Sequence, residues 1–132
     1  MKIALGLGCD RGTSQATLHQ AVALALARCG AGWQDVAAAA SITLKGDEAG
    51  LLALADAQGW RLHFYAPQEL ARVPVPHPSE TVRRHTGTPS VSEAAALLAA
   101  RATASALLVE KLKHQGTDGR NATVSIARMS HD

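Results

Sequence analysis

The chain has 132 residues, is 47% apolar and only 3% aromatic, and carries a formal net charge of +2. That length suits one domain, 1–132, with a core of Ala, Leu and Val and closely packed helices. The balanced charge and scarce aromatics argue against a nucleic-acid interface built on a basic face and base stacking.

No apolar run reaches the roughly 20 residues of a membrane span, so no membrane contact is expected. One lysine followed by a Gly-interrupted run does not make a signal peptide. Cys9 and Cys29 are the only cysteines and lack metal spacing. Free thiols in a cytoplasmic protein are the expectation.

The first predicted element is a strand over Lys2–Leu7. It leads through Gly6-Leu7-Gly8-Cys9-Asp10-Arg11-Gly12-Thr13-Ser14 into a helical pattern from Thr13 to Arg28. Thr13 or Ser14 is placed to cap that helix. The helix start, with Arg11 at its lip, makes an anion-friendly pocket the first functional expectation. Gly30 and Gly32 stop the helix, and Cys29 is expected to pack as a small apolar residue.

Val36–Ile42 reads as a second strand and completes a right-handed βαβ unit. Lys45-Gly46-Asp47-Glu48 leads into a helix that Gly59 ends. Arg61–Tyr65 is a third strand, and Ala66–Leu70 a short helix with Pro67 in its first turn. The three prolines of Val73-Pro74-Val75-Pro76-His77-Pro78-Ser79 predict a stiff, extended, ordered surface loop. Ser79 caps a short helix through Arg84. Ser90 and Glu93 form a capping box for a helix to Arg101. Ala106–Val109 is a fourth strand, with Lys111–His114 leaving it. Thr123–Ala127 closes a long-looped antiparallel hairpin, and Met129–Asp132 should fray.

This layout predicts a single-domain, three-layer α/β/α fold: an open, mostly parallel sheet with helices on both faces and a C-terminal antiparallel hairpin. Ligands bind such sheets at the carboxyl ends of strands. The loops Gly8–Ser14, Thr43–Glu48 and Val109–His114 are expected to converge there.

The chemical candidates narrow by elimination. Gly6, Gly8 and Gly12 nearly match a dinucleotide fingerprint. Ser41, Ile42 and Thr43 stand where its acidic residue belongs, and there is no P-loop Gly-Lys-Ser/Thr. The histidines are not spaced as ligand pairs, so neither a metal site nor a cofactor is expected. Cys9 sits near a helix start and Arg11, both of which lower a thiol pKa, but no histidine is local to it. Arg11, Lys45, Lys111 and Lys113 are left as a rim for a carboxylate-rich ligand.

Five ordered motifs together resemble the CobE/CbiG C-terminal domain family of cobalamin biosynthesis. They are the Gly6–Ser14 loop, Ala40–Leu51, Val73–Ser79, Gly87–Ala96, and Leu108–Lys113 with Thr123–Arg128. Asp10 stands where that family often has a second basic residue. The resemblance covers nearly the whole chain and implies a place in corrin-ring construction. CbiG proteins open a lactone on a cobalt-precorrin and release acetaldehyde, using an additional N-terminal region. This chain begins at the first strand of the C-terminal domain, which makes it most like the stand-alone CobE form. Precorrins carry many acetate and propionate groups, in keeping with the cationic rim.

Two functions compete. A carrier or accessory factor would bind a precorrin or hydrogenobyrinic-type tetrapyrrole through Gly8, Cys9, Arg11, Gly12, Thr13, Ser14, Lys45, Ser90, Lys111 and Lys113. It would pass the intermediate on or assist other cobalamin-pathway enzymes. A precorrin hydrolase would instead use Glu48 or Asp47 as base, with Lys45 or Lys111 steadying the oxyanion. A purely structural partner of a pathway enzyme is the third option.

Overall fold

The alternation in Ile3-Ala4-Leu5-Gly6-Leu7-Gly8 organises the molecule. These residues belong to β1 (Ile3–Cys9), and successive side chains of a strand point to opposite faces. Ile3, Leu5 and Leu7 therefore enter one core, while the small row Ala4, Gly6, Gly8 faces the other way. The computed structural model describes residues 1–130; His131 and Asp132 lie outside the described residues.

β1 is central in a five-stranded sheet with β2 (Val36–Ile42), β3 (Leu62–Tyr65), β4 (Leu107–Gln115) and β5 (Asn121–Arg128), in the order β3-β2-β1-β5-β4. β1, β2 and β3 run parallel. β5 is antiparallel to both β1 and β4, so four strands share one direction. This is the predicted α/β fold: a parallel core with an antiparallel C-terminal pair. The hairpin loop is shorter than expected, because β4 runs to Gln115 and β5 starts at Asn121. Gly116 N–H donates to the Arg120 carbonyl at 2.9 Å and closes it.

Two helices, α1 (Gln15–Cys29) and α2 (Ala49–Gln58), cover the large-residue face. Leu18, Val22 and Leu26 of α1 and Leu51 and Leu54 of α2 share the core with Ile3, Leu5 and Leu7. Ser14 caps α1 by accepting from Thr17 N–H at 3.1 Å, and Gly30 ends it at φ +71°. Two short helices, α3 (Pro67–Ala71) and α4 (Glu80–Thr86), flank the proline-rich segment and precede α5 (Ser92–Ala100).

α5 packs on the small-residue face through Ala94, Ala95 and Ala96. It lies so close that a Cβ at Gly6 would run into the Ser92 carbonyl and the Ala96 nitrogen. Gly6 thus serves helix packing rather than phosphate approach. Gly8, next in the same row, is buried beside Thr123 and Val91, at the start of α5.

Three local expectations are corrected. Lys111–His114 do not leave the sheet: they belong to β4, which hydrogen bonding to β5 extends to Gln115. Ser90 is not the α5 cap. Val91 occupies that position with helical φ −89° and ψ −56°, and Ser90 is a buried tether whose Oγ donates to Glu93 Oε1 at 3.2 Å. Met129 and Ser130 are tied down, their N–H groups donating to Lys2 and Ala100 carbonyls at 3.0 and 3.2 Å. The rest of the expected frayed end lies outside the described residues.

Candidate functional site

A cavity of about 500 Å³ opens at the carboxyl ends of β1 and β2, within the range of small-molecule sites. Its floor begins at Gly8, where β1 has no side chain and the start of α5 comes alongside at Val91. Gly8 pairs with Thr123 of β5, which also lines the cavity. Cys9, Asp10 and Arg11 continue the floor into the loop, and Lys45 enters from the turn after β2.

Lys111 and Lys113 enter from β4. They flank Leu112, which is buried in the core beneath α1, so strand alternation turns both lysines to the opposite face. Val91 and Ser92 bring the N-terminus of α5 to the cavity, with its partial positive charge. Thr81, Val82, His85 and Thr86 of α4 form a further wall.

The first loop is pinned by the protein's own acids. Thr13 N–H donates to the Asp10 carbonyl at 3.2 Å, closing a turn with Gly12 at φ +80°. A residue with a side chain rarely adopts that conformation. Gly12 N–H donates to Glu48 Oε1 at 3.0 Å. Arg11 Nη1 lies 2.7 Å from Asp47 Oδ1 and 2.8 Å from Glu48 Oε2. The second contact is off the N–H direction, so Glu48 Oε2 gains charge attraction without a hydrogen bond. The hydrogen bond from Arg11, and then its charge, hold the Asp47 carboxyl below the usual carboxylate range.

The start of α1 is filled too. Asp118, on the β4–β5 turn, accepts from Ser14 N–H through Oδ2 at 3.0 Å. Through Oδ1 it accepts from Thr17 Oγ1 at 3.1 Å and Arg120 N–H at 3.0 Å. The Ser14 and Arg120 amides bring its pKa down to about 2. The anion expected at this helix start is therefore a carboxylate of the chain itself.

The lysines differ. Among the described residues, Lys45, Lys111 and Lys113 pair with no carboxylate. Lys111 Nζ donates to the His77 carbonyl at 3.3 Å. All three line the cavity.

Cys9 corrects an expectation. Its thiol pKa is raised, not lowered: burial dominates over the nearby Lys45 charge, and Glu48 and Asp10 add to the rise. The thiol form is favoured, which disfavours thiolate attack.

Of the residues singled out from sequence, the cavity gathers Gly8, Cys9, Arg11, Lys45, Lys111 and Lys113. Gly12, Thr13, Ser14, Ser90 and Glu48 do not line it. Thr13, Ser90 and Glu48 are buried behind it, and their bonds hold loops. Sequence reading missed the α4 wall, the α5 start and Thr123. Ser79 as a cap signalled α4 itself, but nothing local placed that helix over Gly8. Among the described residues no group of His, Cys, Asp and Glu is arranged to hold a metal.

Fold and site define an α/β protein with a lysine-lined cavity at the carboxyl ends of its strands. The chain belongs to the cobalamin synthesis G C-terminal family, whose model matches residues 3–127. It is 38% identical over 130 residues to the cobalt-precorrin-5A hydrolase of Priestia megaterium. The match covers 98% of this chain and 33% of that protein, so the chain spans about a third of that relative's length.

Among solved structures it is similar to CobE, a protein from the cobalamin biosynthetic pathway. That match has 34% identity, a TM-score of 0.78, and coverage of 99% of this chain and 92% of the other. The cobalamin biosynthesis protein ChiG from Agrobacterium tumefaciens is 31% identical with a TM-score of 0.67, covering 98% and 99%. The chain is thus a cobalamin biosynthesis protein related to CobE and to the C-terminal domain of CbiG. No helix among the described residues is long and apolar enough to cross a membrane.

Proposed function

We propose that this chain binds a carboxylate-rich precorrin or hydrogenobyrinic-type intermediate in the cavity, as a carrier or accessory factor of the corrin pathway. In this reading residues 1–132 work as one unit in the cytoplasm beside other pathway enzymes. The carrying observation is that three lysines from two elements face one cavity without carboxylate partners among the described residues. Ammonium groups in a partly enclosed site attract carboxylates strongly, and the start of α5 adds to that field. Arg11 also lines the cavity, but its charge faces Asp47 and Glu48 and shapes the loop. Titration with hydrogenobyrinic acid, followed by absorbance, should give a saturable shift at micromolar protein. Absence of saturation, or an unchanged curve with Lys45→Glu and Lys111→Glu together, sinks the reading.

A second reading, precorrin hydrolysis, is favoured by the identity to a cobalt-precorrin-5A hydrolase. Lys45 would steady the oxyanion and Glu48 would serve as base. Glu48 is only 3% exposed and bonded to Gly12 N–H, so this chemistry requires it to leave that bond. Turnover of cobalt-precorrin-5A by purified protein, abolished by Glu48→Gln, would establish it; unchanged substrate would end it.

A further inference from the structure

The segment between α3 and α4 is a strap that rests Val73 and Val75 half-buried on the core and offers few backbone groups for hydrogen bonding. Pro74, Pro76 and Pro78 have no N–H, so Val75 and His77 hold the only backbone donors in 74–78. His77 is held by its amide, its carbonyl and its ring. The amide donates to Glu93 Oε1 at 3.2 Å, and the carbonyl accepts from Lys111 Nζ at 3.3 Å. The ring Nε2 lies 2.8 Å from Glu110 Oε1.

Both ends of the next helix depend on this region. Ser79 N–H donates to the Pro89 carbonyl at 2.8 Å, and Ser79 Oγ caps α4 by accepting from Val82 N–H. α4 buries none of its own residues, yet four of them wall the cavity. Val82 packs half-buried against the core beside Val91, and the rest of the hold on α4 comes from its tied ends.

Glu93 is the buried anchor of the arrangement, at 0% exposure, and its Oε2 has no hydrogen-bond partner among the described residues. We propose that Glu93 is a positioning residue: by fastening His77 it holds the strap, and with it α4, as the closed wall of the cavity. The role rests on the reading that the cavity takes a polycarboxylate. Burial pushes the Glu93 carboxyl up, against the His77 N–H and the Lys111 charge. The bond to His77 requires only an acceptor oxygen, which the amide of glutamine also supplies.

The test uses the full chain with Glu93→Met and Glu93→Gln. Trypsin cleavage after Arg83 and Arg84 in α4 is timed against cleavage after Arg28 in α1, and uroporphyrin binding is followed by fluorescence. Glu93→Met should be cut in α4 about tenfold faster at an unchanged Arg28 rate, and bind uroporphyrin about tenfold more weakly. Glu93→Gln should restore both to within about twofold. Wild-type cleavage of the Met variant, or a Gln variant behaving like Met, overturns the assignment.

If the Met variant loses its fold, seen as equally fast cutting at Arg28, amide exchange in the unmodified chain decides instead. The His77 amide must then exchange more slowly than that of Val75, and equal rates refute the role. Failure of uroporphyrin to bind the unmodified chain counts against the ligand reading alone. The cleavage contrast still decides the fastening.

Discussion

The loop Asp10–Ser14 and the β4 segment carrying Lys111 and Lys113 share one end of the sheet, and they differ in how their charge is met. In the loop, Arg11 faces Asp47 and Glu48, Gly12 N–H faces Glu48, and Ser14 N–H faces Asp118. On β4 the two lysines have no carboxylate partner among the described residues, and Lys45 matches them across the cavity. A positive group is therefore not a ligand contact merely by standing near a cavity. The loop's donors are consumed in building the floor, while in the proposed function the lysines hold the anion.

The sharpest break of this contrast is charge reversal on the lysine side. Lys45→Glu with Lys111→Glu should weaken hydrogenobyrinic acid binding by at least about a hundredfold. Two charge-assisted bonds of about 1.5–3 kcal/mol each are lost. Titration calorimetry reads this directly, and a change below tenfold would show that the lysines are bystanders.

Gly6→Ala disturbs the same side through packing. The added methyl meets the α5 backbone at Ser92 and Ala96 and displaces the helix start from the cavity. A stability loss of about 1–3 kcal/mol is expected in urea unfolding. An unchanged midpoint would mean that α5 yields freely.

Arg11→Gln tests the loop side. It should lower the thermal midpoint, because buried Glu48 loses its counter-charge. Ligand affinity should stay within about threefold, as for a group already neutralised by neighbouring acids. A large affinity loss with an unchanged midpoint would reverse the assignment of the two regions.

Asp118→Asn should act only through pH. Asp118 titrates near 2 in the folded chain, below an ordinary carboxylate. Its contribution to stability is therefore complete above about pH 4 and lost as pH falls towards 2. The stability gap between the two proteins, read by denaturation across that window, should close as acid is added. A gap that persists at pH 2 would rule out the α1 start as the cause.

Much of this was legible residue by residue. The βαβ order followed from short apolar runs separated by capped helical patterns, and Ser14 and Ser79 were readable as caps because their chemistry is local. Lys45 was placed correctly because a turn after a strand is itself a local signal. Lys111–His114 were misplaced in a loop because their polarity obscures a strand whose outer side faces a cavity. Ser90 was misread as a cap because the capping-box spacing is also met by a buried Ser–Glu hydrogen bond.

The alternation of large and small residues in β1, the helix caps and the family motifs were set by neighbours within a few positions of one another. They dictated an α/β fold with a tight first loop and an alanine-rich helix close to the sheet. Which cations are met by carboxylates among the described residues was settled by contacts between residues far apart in the chain. Glu48 reaches Gly12, Asp118 reaches Ser14, and β5 is inserted between β1 and β4. Electrostatic compensation depends on distance in space, and only the folded chain brings those groups within reach.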